Sequence, residues 1–116
     1  MVTAYLVVTV ATIVANTAAA IGDFARADFV LKNAAEVGVS ESWIPMLAGL
    51  KAAGALGLLL GLLGIPLIGV AAAIGLVLFF VGAVIIHIRT RVFHNIAFPA
   101  TFLALAVASL ILAVAA

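Results

Sequence analysis

Residues 43–89 read WIPMLAGLKAAGALGLLLGLLGIPLIGVAAAIGLVLFFVGAVIIHIR, and this stretch decides the fold. It holds two apolar runs, Trp43–Gly64 and Pro66 to about Ile88, separated by Gly64-Ile65-Pro66. Each run has roughly 20 residues, the length that crosses ~30 Å of hydrocarbon as a helix. Three residues allow nothing but a tight turn, so the two runs form an antiparallel hairpin. Pro66 falls at a helix start, where its missing N–H leaves nothing unpaired. Working outward, Val2–Gly22 and the segment from Ile96 to the C-terminus are two further runs of the same kind. Helix is forced on all four: four such segments cannot close a barrel, and open strands leave unpaired amides in lipid. The sequence therefore predicts one all-α membrane domain over residues 1–116. Its spans are residues 2–22, 43–64, 66–88 and 96–115, arranged as an antiparallel four-helix transmembrane bundle.

Composition agrees. Hydrophobic residues make up 69% of the 116, against five Lys/Arg and four Asp/Glu. A soluble domain is about 25% charged and needs those groups to cover its surface. Nine charges exclude a soluble enzyme and a disordered chain, and no basic stripe exists to bind nucleic acid. The lack of cysteine removes disulfides, thiolate nucleophiles, iron–sulfur ligation and Cys-based zinc or redox chemistry. No metal site is expected.

Eight of the nine charges lie in the connections Asp23–Ser42 and Arg89–Asn95, on the face opposite the hairpin turn. Arg26, Lys32, Arg89 and Arg91 gather there, while the face with both termini has no Lys or Arg. The positive-inside rule then predicts cytoplasmic loops and extracytoplasmic termini. Ala18-Ala19-Ala20 resembles a small-residue cleavage site, but no basic segment precedes the first apolar run, so that run is expected to remain as a span.

Within residues 23–42, Asp28, Lys32 and Glu36 recur at i, i+4 and predict a ladder of opposite charges. Phe24, Ala27, Leu31 and Ala34 mark the other face, and Gly38 is placed to end the helix. The expectation is a short amphipathic helix at the interface, followed by Trp43 as an aromatic anchor. Inside the bundle, Gly54, Gly57, Gly61 and Gly64 line one face of the second span. Small residues let helix backbones approach, which matters where lipid is as apolar as the helices. Gly75 and Gly82 on the third span are the expected receiving face. The same small residues leave a homo-oligomer seam as the alternative.

Lys51 stands about 12 Å inside the second span. A charge at that depth faces the protein interior or snorkels. Tyr5, Thr9, Thr12, Asn16 and Asp23 draw one polar seam along the first span, with Asn16 at about the depth of Lys51 and Asp23 placed to be its counter-charge. His87 and Arg89 close the third span, near Arg91 and His94. The candidate ligand-binding cluster is thus Asn16, Asp23, Lys51, His87 and Arg89. Haem is not expected, because its two histidines should sit on facing helices and these flank one short loop.

Two of these segments carry a resemblance. Leu50-Lys51-Ala52-Ala53-Gly54-Ala55-Leu56-Gly57-Leu58-Leu59-Leu60-Gly61 resembles the second span of DoxX-like membrane proteins. Gly82-Ala83-Val84-Ile85-Ile86-His87-Ile88-Arg89 resembles the end of their third. Four spans, a long first loop and a short second one agree with that family over nearly the whole chain. The resemblance implies a bacterial inner-membrane protein, similar to a small subunit associated with quinone-linked thiosulfate oxidation, with relatives linked to redox complexes. It places interest on Lys51, His87 and Arg89 without making them catalytic.

The leading expectation is a subunit whose polar cluster holds the head of a lipophilic molecule, a quinone or a lipid, or docks a redox partner. A stand-alone enzyme using Lys51 or His87 in acid–base chemistry is an alternative, although no nucleophile–base–orienter set is visible. A small multidrug-type transporter is another, and it lacks its usual carboxylate within a span. A purely structural subunit is the fourth.

Overall fold

The structure is a computed structural model that describes residues 1–115. Five α-helices follow in order: α1 (Val2–Phe24), α2 (Asp28–Glu36), α3 (Ile44–Leu62), α4 (Pro66–Arg89) and α5 (Ala97–Ala115), with a 3-10 turn at Glu41–Trp43 before α3. No strand is present among the described residues. The four long helices are each apolar and long enough to span a membrane. Large apolar side chains on their outer faces, such as Val14, Leu67, Leu78 and Val114, are exposed and face where lipid would be.

Local chemistry sets the ends. Prolines stand where a first turn has no use for their N–H: Pro45 in α3, Pro66 in α4 and Pro99 in α5. Four helices stop on a residue with positive φ: Arg26 after α1, Gly38 after α2, Gly64 after α3 and Arg91 after α4. At each, the next amide reaches back five residues to a helix carbonyl, as Val39 N–H does to Ala34 O (2.8 Å) and Val92 N–H to His87 O (2.9 Å). Gly38 and Gly64 take this conformation without a Cβ clash; the two arginines take it in exposed loops.

Around the bundle α1 packs on α3 and α5, α3 on α4, and α4 on α5, which closes a ring. Successive spans run antiparallel. The ring therefore has a hairpin end, with the α3–α4 turn and both termini, and a loop end, covered by α2. A core of Leu58, Ala73, Leu76, Phe80 and Ala106 fills its centre.

The hairpin is closed by direct helix contact. A methyl built on Gly61 would sit 2.6 Å from Gly69 Cα, and one on Gly57 2.6 Å from Ala72 Cβ; Gly54 is covered by Leu76. The receiving face on α4 is thus Gly69, Ala72 and Leu76. That corrects the expectation of Gly75 and Gly82, which have open space where a Cβ would project. Gly64 serves the turn through its φ of +114° rather than packing. Gly69 lies just four residues into α4, and its role is visible only once the turn fixes the register.

Midway along the bundle there is a polar clasp. Thr12 Oγ1 lies 2.8 Å from Ser109 Oγ, and also donates within reach of Val8 O (2.8 Å) and Leu105 O (3.3 Å). Both side chains are fully buried, so this pair ties α1 to α5 inside the bundle.

The loop helix α2 differs from expectation in its partners. Among the described residues, no ion pair links Asp28, Lys32 and Glu36. Glu36 pairs with His94 instead, and Arg26 pairs with Glu41. Its buried side is Ala34 with Val37, while Phe24 is exposed. The i, i+4 ladder loses because tertiary partners for Glu36 lie nearer than Lys32. Trp43 is exposed at this end, as an interfacial anchor requires.

Candidate functional site

At the loop end the four spans and α2 line a partly open cavity of about 780 Å³. Its walls come from all four spans. Small residues of α1 (Ala15, Ala18, Ala19) form one side, and the rings of Phe79, Phe80 and Phe102 form another. Asp23, Lys51 and His87 supply polar groups at its loop end.

Lys51 reaches from α3 to the end of α1, where its Nζ donates to Asp23 Oδ2 at 2.8 Å. The pair is largely covered, with side-chain exposures of 16% and 9%. Helical side chains lean toward their own N-terminus, which is why Lys51 can travel toward the loop end and meet Asp23. Its ammonium also lies 5.5 Å from the centre of the Phe79 ring, within the range of a cation–π contact. An ammonium has three N–H donors; one is used by Asp23, which leaves donors at the cavity wall.

His87 is buried and held on both sides. Its Nδ1 lies 2.8 Å from Ala83 O, and since a carbonyl only accepts, Nδ1 carries the proton there. Its Nε2 lies 3.2 Å from Asn33 Oδ1 of α2, and since that oxygen only accepts, this is a packing contact and not a hydrogen bond while Nδ1 alone carries the proton. Asn95 Nδ2 donates to Asn33 Oδ1 at 2.7 Å, and His94 Nε2 lies 2.6 Å from Glu36 Oε2. These contacts pin α2 over the cavity. His87 therefore acts as a strut beneath the cover, its Nδ1–H fixed by Ala83 O and its Nε2 packed against Asn33 Oδ1.

Of the five candidate residues, Asp23, Lys51 and His87 come together around one cavity. Asn16 does not reach it. Its amide is fully buried deeper in the bundle, where Nδ2 donates to Thr12 O at 3.0 Å and Oδ1 has no partner among the described residues. Arg89 ends α4 on the exposed surface, outside the cavity lining. With Arg91 it presents charge to the loop side, and its position in the last turn of α4 suits the helix dipole.

Several contributors were not singled out from the sequence. Asn33 and Asn95 are ordinary loop amides until the fold sets both beside His87. Ser109 had a usable signal: it is a hydroxyl deep in an apolar span, at a depth that matches Thr12 in an antiparallel neighbour. Among the described residues, no group of three His, Asp or Glu side chains is arranged to hold a metal ion.

Comparison with known proteins gives one match. No curated protein and no solved structure matches the chain. The sequence model of the DoxX-like family matches residues 7–109, which take in α3 and α4 whole, most of α1 and α5, and every residue of the cavity's polar end. With the four span-length apolar helices, that match shows a multi-pass membrane protein, and the chain belongs to the DoxX-like family.

Proposed function

We propose that the chain is a membrane subunit that holds a lipophilic molecule, a quinone or a lipid, in the cavity at the loop end of its bundle. The observation that carries this reading is the cavity itself: about 780 Å³, with mostly apolar walls that include five alanines and five phenylalanines, and with the Lys51–Asp23 pair at one end. Ligand pockets combine apolar walls with a few polar groups that fix orientation. Lys51 would donate to an oxygen of the head, the phenylalanines would hold the apolar part, and His87 would keep α2 closed through Asn33. Nothing in this arrangement requires the chain to carry out a reaction. The family's association with redox complexes favours a role in presenting the molecule to a partner, and the exposed Arg89 and Arg91 offer a docking face for it.

By the positive-inside rule, that face lies in the cytoplasm of a bacterial inner membrane and both termini lie outside. Native mass spectrometry of the purified chain tests the central idea. The wild type is expected to retain a lipid or quinone adduct that Lys51→Ala and His87→Ala lose or weaken. Unchanged adducts in both variants would sink the cavity as a binding site.

A further inference from the structure

We propose that the cavity selects molecules with an uncharged polar head, and that Asp23 is the residue that sets this preference. The inference rests on the reading that the cavity holds a lipophilic molecule, and it specifies which class.

A lone lysine in an apolar pocket recruits anions: a carboxylate or phosphate gains its charge and its hydrogen bonds together. Lys51 is not alone. Asp23 Oδ2 lies 2.8 Å from its Nζ, in a pair that is mostly covered. Full charges on the lining are Asp23 and Glu36 against Lys32 and Lys51, so the two signs balance. An anionic head brought to Lys51 comes within a few ångströms of the Asp23 carboxylate. At such short and similar distances, attraction to one partner and repulsion from the other nearly cancel. What remains is the loss of the anion's hydration, which is unfavourable in an apolar cavity. A cationic head meets the mirror image of this problem at Lys51 and Lys32.

An uncharged hydroxyl or carbonyl escapes both difficulties. It gives up little hydration, and it accepts from an N–H that Lys51 does not spend on Asp23. His87 does not alter the preference, because its one ring N–H is taken by Ala83 O and Asn33 Oδ1 stands against Nε2. His94 is occupied by Glu36. The pair therefore acts as a fixed dipole at the head of the cavity. Removing the Asp23 charge while keeping its shape turns that dipole into a bare cation.

The test uses the purified full chain in neutral detergent with two probes of equal chain length, 1-hexadecanol and hexadecanoate, their bound fractions read by native mass spectrometry. The wild type is expected to favour the alcohol by about tenfold, the margin that a modest difference in binding free energy gives. Asp23→Asn is expected to raise hexadecanoate binding until the preference reverses, with alcohol binding little changed. Lys51→Gln keeps the acid on Asp23 and is expected to exclude hexadecanoate still more firmly. Equal or stronger binding of hexadecanoate by the wild type overturns the inference but leaves the cavity as a binding site. So does an unchanged ratio in Asp23→Asn while Lys51→Gln still binds the alcohol. If the wild type binds neither probe, the binding-site reading falls and this inference falls with it.

Discussion

The two ends of the bundle are built from the same helices but by opposite means. At the hairpin end the helices touch, Gly61 against Gly69 and Gly57 against Ala72, and just beyond it, at mid-bundle, the Thr12–Ser109 clasp is fully buried. At the loop end the four spans stand around a cavity of about 780 Å³, crossed by long polar side chains and covered by α2. In lipid the hydrophobic effect does not press helices together, so close approach has to be specified by small residues. The packed glycine face of α3 ends at Gly54, and the next residue on that face is Lys51. The change from glycine to lysine along one helix face is the change from packing to pocket.

The largest expected effect breaks the loop end. Lys51→Met removes one member of a covered ion pair and leaves the Asp23 carboxylate without its partner. Losses of about 3 kcal/mol are usual when one half of such a pair is deleted. Thermal unfolding in detergent should show this loss for Lys51→Met. The double variant Asp23→Leu with Lys51→Met should recover most of it, since no unpaired charge remains. If the single and double variants are equally destabilised, the pair matters through its apolar packing, and the two ends of the bundle are held by similar means.

At the hairpin end the contrast sharpens within one helix pair. Gly61→Ala forces a methyl against the Gly69 backbone, which cannot move as a flexible side chain does. Overpacking of this kind destabilises by about 2 kcal/mol. Gly75→Ala meets open space on α4 and should be neutral, or stabilise by about 0.5 kcal/mol from helix propensity alone. The same unfolding experiment ranks them. A Gly75→Ala variant as unstable as Gly61→Ala would mean that another copy or helix covers that face.

These two variants also mark how far the sequence could be read. The spans, the hairpin, the placement of α2 and the Asp23–Lys51 pairing were legible, because each rests on signals local to a segment or on a lone charge seeking its opposite. The partners of Gly54, Gly57 and Gly61 were not. Choosing between Gly69 and Gly75 on α4 depends on the register across the Gly64 turn, and a one-turn error moves every contact. Arg89 joined the expected cluster because it lies two residues from His87. On a helix that spacing sends the two side chains to different faces. Asn33 was invisible for the opposite reason: its partners, His87 and Asn95, are 54 and 62 residues away in the chain.

The smallest effect concerns the cover alone, and it separates closure of the pocket from stability of the bundle. Apart from a neighbouring 3-10 turn, α2 touches little backbone, and its attachment runs through Asn33 and Glu36. Asn33→Ala deletes the contacts to His87 and Asn95 together. Their net contribution is about 1 kcal/mol, that of the one hydrogen bond from Asn95, because water replaces part of it when the helix lifts. That corresponds to roughly a fivefold rise in the population of the lifted state. The chain has no cysteine, so a single cysteine in place of Ala34, which is 7% exposed on the covered side of α2, reports lifting through its rate of maleimide labelling. Asn33→Ala should raise that rate about fivefold with little change in the unfolding temperature of the bundle. Gly61→Ala should do the reverse, lowering the unfolding temperature while labelling stays slow. If both variants move both measurements together, α2 is part of one cooperative bundle. The loop end would then be a rigid pocket rather than a covered one.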